Sequence, residues 1–116
     1  MSKELNWQKE KANEVFDNVV KPALRELVEE YDGTDGFEVK IVSDSPIITG
    51  IERYASIMFI HPDGLEMMVC VYWIKGSDRI VAENISMVTL NRNLDIYQVT
   101  KEELKKNVKF LAGVRG

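Results

Sequence analysis

Cysteine and histidine are almost missing from this chain. Its 116 residues hold one of each, Cys70 and His61. A single thiol excludes an intrachain disulfide, and no cluster of the two residue types points to zinc. Long apolar runs are missing too. The longest nearly unbroken one, Leu65 to Ile74, carries a single charge and falls far short of the ~20 apolar residues that span a bilayer as a helix. Charge of one sign is also scarce. The net value of −4 disfavours non-specific binding of nucleic acid or anionic membrane by the chain as a whole. There is no Gly-x-Gly-x-x-Gly and no phosphate loop. The Asp32-Gly33-Thr34-Asp35-Gly36 run lacks the alternating carboxylates and terminal glutamate of a calcium loop. No metal and no cofactor are expected.

Met1 to Glu10 is charged and has no apolar centre, so a secretory signal is not expected. With one cysteine, that favours a reducing, cytoplasmic setting. Asn84-Ile85-Ser86 matches a glycosylation sequon, which carries little weight without such a signal.

What is present reads as globular: 45% hydrophobic and 29% charged residues. The length suits one domain, residues 1–116. Ala12, Phe16, Val19, Val20, Ala23, Leu27 and Tyr31 recur at helical spacing, predicting a long helix from about Ser2 or Asn6 to Tyr31. Its apolar phase runs through Pro22, which implies either one kinked helix or two nearly collinear ones capped at Asn18. Gly33 supplies the left-handed stop. Strands follow at Phe37–Val42, about Ile51–Ile60, Leu65–Ile74 and Arg79 to about Leu90, with Asn91-Arg92-Asn93 as a break. Leu94–Val99 reads as ambiguous, a fifth strand if it pairs. Thr100 and Glu103 form a capping box for a closing helix that Gly113 ends. The fold class is therefore α+β: an antiparallel meander of four or five strands between a long N-terminal and a C-terminal helix, in the order α-β-β-β-β-α.

Two turns set a register. Taking His61-Pro62-Asp63-Gly64 as the loop puts Ile60 opposite Leu65, and Gly76-Ser77 puts Lys75 opposite Asp78. One sheet face then holds Ile60, Met58, Tyr54, Met67, Val69, Val71, Trp73, Ile80, Ala82 and Val88. The other holds Phe59, Ile57, Arg53, Met68, Cys70, Tyr72, Val81, Glu83, Ile85 and Met87. Both are apolar, although a solvated sheet face should be mostly polar. Something must cover the second face, most simply a second copy of the chain, or else a helix. Ile57, Met68, Val81 and Ile85 are the expected interface.

No two groups stand in complementary catalytic roles, so no catalytic residue is assigned. His61 reads as a turn residue and Cys70 as a small buried hydrophobe. Arg53, Tyr72 and Glu83 fall together on the second face, either as a polar ligand site or as an interstrand ion pair. Lys101, Lys105 and Lys109 make a stripe that reads as a solvated helix face more readily than a nucleic-acid contact. These features suggest a non-catalytic interaction module, a homodimer or the partner of another protein, with a small-ligand domain as the alternative. Neither nucleic acid nor membrane is expected as a partner.

Overall fold

Pro22 has no N–H, and its ring strikes the carbonyl four residues back in an α-helix. The computed structural model, which describes residues 2–86 and 90–114 with side chains from Trp7 onward, shows how the N-terminal helix absorbs this. Helix α1 (Ser2–Val15) opens into a π-helical turn, Phe16–Val20, and closes again as α2 (Lys21–Tyr31) with Pro22 in its first turn. The Lys21 N–H reaches Phe16 O, five residues back. The wider turn makes room for the ring without breaking the rod. Asn18 lies inside that turn and caps nothing, because α2 starts without a side-chain cap. Gly33 (φ +80) leads the chain out as expected.

Five strands follow: β1 (Glu38–Val42), β2 (Ile51–Ile60), β3 (Glu66–Ile74), β4 (Arg79–Asn84) and β5 (Asn91–Asp95), then helix α3 (Lys101–Leu111). The sheet is an antiparallel meander in the order β1-β2-β3-β4-β5. The fifth strand is made from the Asn91-Arg92-Asn93 stretch expected as a break, and β4 ends at Asn84, well before Leu90. An outer strand needs no apolar row on its solvent side, and polar residues discourage edge pairing. On the helix side Arg92 stacks its guanidinium 4.4 Å above the Phe110 ring. At the opposite edge, Asp32 accepts the Val39 N–H at 3.0 Å, which blocks β1 in the same sense.

The β2–β3 register differs from the expected one by a single position. Ile60 faces Glu66, Phe59 faces Met67 and Ile57 faces Val69. The loop is three residues long rather than four. His61 donates its N–H to Leu65 O, Gly64 donates back to His61 O, and Gly64 sits at φ +91. This is a type I turn followed by a left-handed glycine, the usual three-residue hairpin. Because side chains alternate with period two, one slip moves every β2 residue to the other face. Phe59, Ile57 and Arg53 therefore lie under the helices, while Met58, Ile60 and Tyr54 move to the open side. The β3–β4 register is the expected one, with Val71 opposite Ala82 and Cys70 opposite Glu83. The expectations for Val88 and Met87 lie outside the described residues.

The core fills the space between one sheet face and the helices. Phe16, Leu24, Leu27, Ile57, Phe59, Trp73, Ile80, Leu104 and Leu111 are each at most 1% exposed. Two buried or half-buried polar side chains fasten the end of α3 to this layer. Asn84 Nδ2 donates to Leu111 O at 2.8 Å, and His61 Nε2, necessarily the protonated nitrogen, donates to Ala112 O at 2.8 Å. Helices leave their last carbonyls unsatisfied, and here the sheet supplies the donors. The Asn84 amide nitrogen is therefore spent in the interior and cannot accept a glycan. Replacing Asn84 with Ala should cost about 2 kcal/mol, the usual penalty for orphaning a buried acceptor, read as a lower urea midpoint at unchanged slope.

Candidate functional site

The open face of the sheet carries Met58, Met68, Cys70, Tyr72, Val81 and Glu83. Among the described residues, every buried apolar helix residue belongs to the core cluster on the opposite side. The open face is nevertheless not bare. Ser56 and Cys70 are 0% exposed and Tyr72 is 4% exposed. The cover is the β1–β2 connection, residues 43–50, which crosses the face as a strap. Ser56 Oγ donates to Asp44 O, and Tyr54 Oη donates to Ser43 O at 3.2 Å. Farther along, Asp44, Ser45, Pro46 and Ile47 line a groove of about 400 Å3 whose other wall is Met68, Glu83, Ile85 and Ser86. The strap returns through Gly50, whose carbonyl accepts the Lys75 N–H. Thus part of the shielding that two apolar faces demand comes from the chain's own loop.

Beneath the strap is a small polar cluster. Tyr72 Oη donates to Glu83 Oε1 at 2.9 Å across the β3–β4 diagonal. Burial pushes the tyrosine well above its ordinary range, and the Glu83 carboxylate adds to the effect. Cys70 stands opposite both Ser56 and Glu83. Burial raises its thiol to about 11, the Ser56 hydrogen bond lowers it somewhat, and the charge on Glu83 raises it again. A thiol so placed is not nucleophilic near neutrality.

Arg53 takes no part in this cluster. The slipped register places it opposite Trp73 on the helix side. There it donates to Asn13 Oδ1 at 2.8 Å and to Asp17 Oδ1 at 3.1 Å, with its guanidinium 5.1 Å above Phe16. The Arg53 hydrogen bond holds the Asp17 carboxyl below its ordinary value. A three-residue site of Arg53, Tyr72 and Glu83 therefore does not form; the arginine pins β2 to the π-helical turn instead. Ile57, 0% exposed, belongs to the core rather than to an interface. Met68, Val81 and Ile85 do share the open side and are half-buried.

The lysine stripe of α3 is neither a solvated face nor a free basic surface. Lys105, 8% exposed, lies 3.1 Å from Glu26 and 2.8 Å from Glu30, and Lys101 also pairs with Glu26. Lys109 Nζ donates to Tyr31 Oη at 3.2 Å. Lys101 and Lys105 hold the Glu26 carboxyl below its ordinary value, and Glu30 raises Lys105. These charges join α3 to α2.

Sequence reasoning missed the strap, the Asn84 and His61 clamps and the Arg53–Asp17 link. Each joins distant parts of the chain, and no local spacing marks them. Among the described residues no three metal-ligating side chains lie together, and no helix is long and apolar enough to cross a membrane. Comparison with protein-family models, with curated proteins and with solved structures finds no match to this chain.

Proposed function

We propose that this chain is a non-catalytic interaction module that pairs with a second copy of itself through the strapped face of the sheet. The observation that carries this reading is the state of that face. Met58, Met68, Val81 and Ile85 are half-buried where no helix packs, and Ile47 at the strap is fully exposed. A contiguous apolar surface of this kind marks an interaction site.

Charge does not bar a second copy as the occupant. The chain as a whole is −4, which opposes self-association, yet this face carries most of its charges in opposite pairs. Glu38 lies 3.6 Å from Lys40, Arg79 stands opposite Asp95, and Glu83 is held by Tyr72. Glu66, opposite Ile60 on the same side, forms no ion pair among the described residues, so a twofold mate still meets some uncompensated carboxylate there. Completing the burial of a half-buried methionine, valine or isoleucine contributes about 1 kcal/mol. After the cost of association, that supports micromolar rather than nanomolar dimers.

The double variant Met68→Lys, Val81→Lys tests the reading. It should sediment as a monomer at concentrations where the parent chain is dimeric, with its far-ultraviolet dichroism unchanged. A variant that dimerises like the parent excludes this face as the seam.

A further inference from the structure

Strand β1 stops at Val42, opposite Ser56, while β2 extends back to Ile51. The outer edge of β2 is therefore paired from Ser56 to Ile60 and open before it. Alternation decides which groups are left over. His61 and Leu65 form a hydrogen-bonded pair, so residues 59, 57 and 55 direct their backbone groups toward β3, and residues 60, 58, 56 and 54 toward β1. Strand β1 meets the first three of these. Among the described residues, no backbone group meets the outward N–H and C=O of Tyr54.

A groove of about 420 Å3 opens at this corner. Ile41, Tyr54 and Ala55 line it over Leu24, and Lys21 and Arg25 of α2 stand at its rim. Ile41 is 54% exposed and Tyr54 is 44% exposed. Lys21 is shared with Asp17 at 3.6 Å. Arg25 is exposed, and its guanidinium forms no ion pair among the described residues. An open strand edge, an exposed apolar wall and an uncommitted guanidinium converge on one place. Strand addition uses the first two, and a carboxylate suits the third.

We infer that this corner binds an extended acidic peptide segment, which adds a short strand to β2 at Tyr54, lays an apolar side chain on Ile41 and pairs a carboxylate with Arg25. The site adjoins the margin of the strapped face, sharing Ser43, Tyr54 and Ser56 with it, but Met58, Met68, Val81 and Ile85 do not line it. A twofold mate is not a suitable occupant through its own β1, because Asp32 already fills the Val39 N–H on that edge.

The test uses the full chain and a capped, fluorescein-labelled hexapeptide of alternating valine and aspartate. Anisotropy should show saturable one-to-one binding, and amide exchange at Tyr54 should slow at saturation. Arg25→Glu should weaken binding at least tenfold at an unchanged unfolding midpoint. The same peptide N-methylated along its edge should not bind, and a valine–lysine peptide should not compete. The double variant Met68→Lys, Val81→Lys should leave the affinity as it is, so that loss of the dimer and loss of this site are told apart. Absence of binding by the acidic peptide, an affinity indifferent to Arg25→Glu, or equal competition by the lysine peptide would overturn the inference.

Discussion

Ile57→Ala is expected to lower the unfolding free energy by about 2–5 kcal/mol, and Met58→Ala by less than about 1 kcal/mol. The two residues are neighbours in β2, are both large and apolar, and occupy opposite faces. Ile57 is 0% exposed and belongs to the cluster beneath the helices. Removing its branched chain loses transfer energy and leaves a cavity that the helices cannot collapse into. Met58 is half-buried on the open side, where water or a loop shift can fill the gap. A four-residue loop at His61–Gly64 would reverse the order, because it exchanges the two faces. Urea titrations of both variants therefore test the hairpin geometry. Equal losses, or a larger loss for Met58→Ala, would reject the observed register.

That single residue of loop length separates what was legible in the sequence from what was not. The ends of the helices were readable because their signals are local. Thr100 accepts the Glu103 N–H at 3.1 Å, and Gly33 and Gly113 take positive φ. The β3–β4 register was readable from Gly76-Ser77, so the closeness of Glu83 to Cys70 and Tyr72 follows from the sequence. The His-Pro-Asp-Gly turn was ambiguous. A type I turn fits a four-residue loop, and equally a three-residue loop closed by a left-handed glycine. Nothing in those four residues decides between them, and the choice carried Arg53 and Ile57 to the wrong side. The strap was hidden for another reason. Residues 43–50 have no periodicity, so their path across the face is set by distant contacts such as Ser56 Oγ to Asp44 O. Pro22 announced an interruption, and a π-helical turn resolves it by a route that leaves no mark in the apolar pattern.

Cys70 should alkylate far more slowly in the folded chain than in the unfolded one. At pH 8 a thiol with its pKa raised to about 11 is only about a thousandth ionised, whereas one at the ordinary 9.0 is about a tenth ionised. The thiolate is the reacting form, so charge alone slows labelling by about a hundredfold, and the strap over a 0% exposed side chain slows it further. Iodoacetamide should therefore modify the folded chain at least about a hundredfold more slowly than the same chain in urea. Replacing residues 44–48 with glycine should leave the sheet standing and raise the folded-state rate by more than tenfold. Labelling of the native protein within tenfold of the unfolded rate would mean that the strap does not lie where the Ser56, Tyr54 and Gly50 contacts put it.

The strap shields Ser56, Cys70 and Tyr72, and the four apolar side chains around them still await a cover. Sedimentation equilibrium across the micromolar range measures whether they find one. The expected result is a reversible shift from the 13.3 kDa chain to twice that mass as concentration rises. A mass that stays at that of one chain throughout, with no binding of an apolar dye, would contradict the pairing.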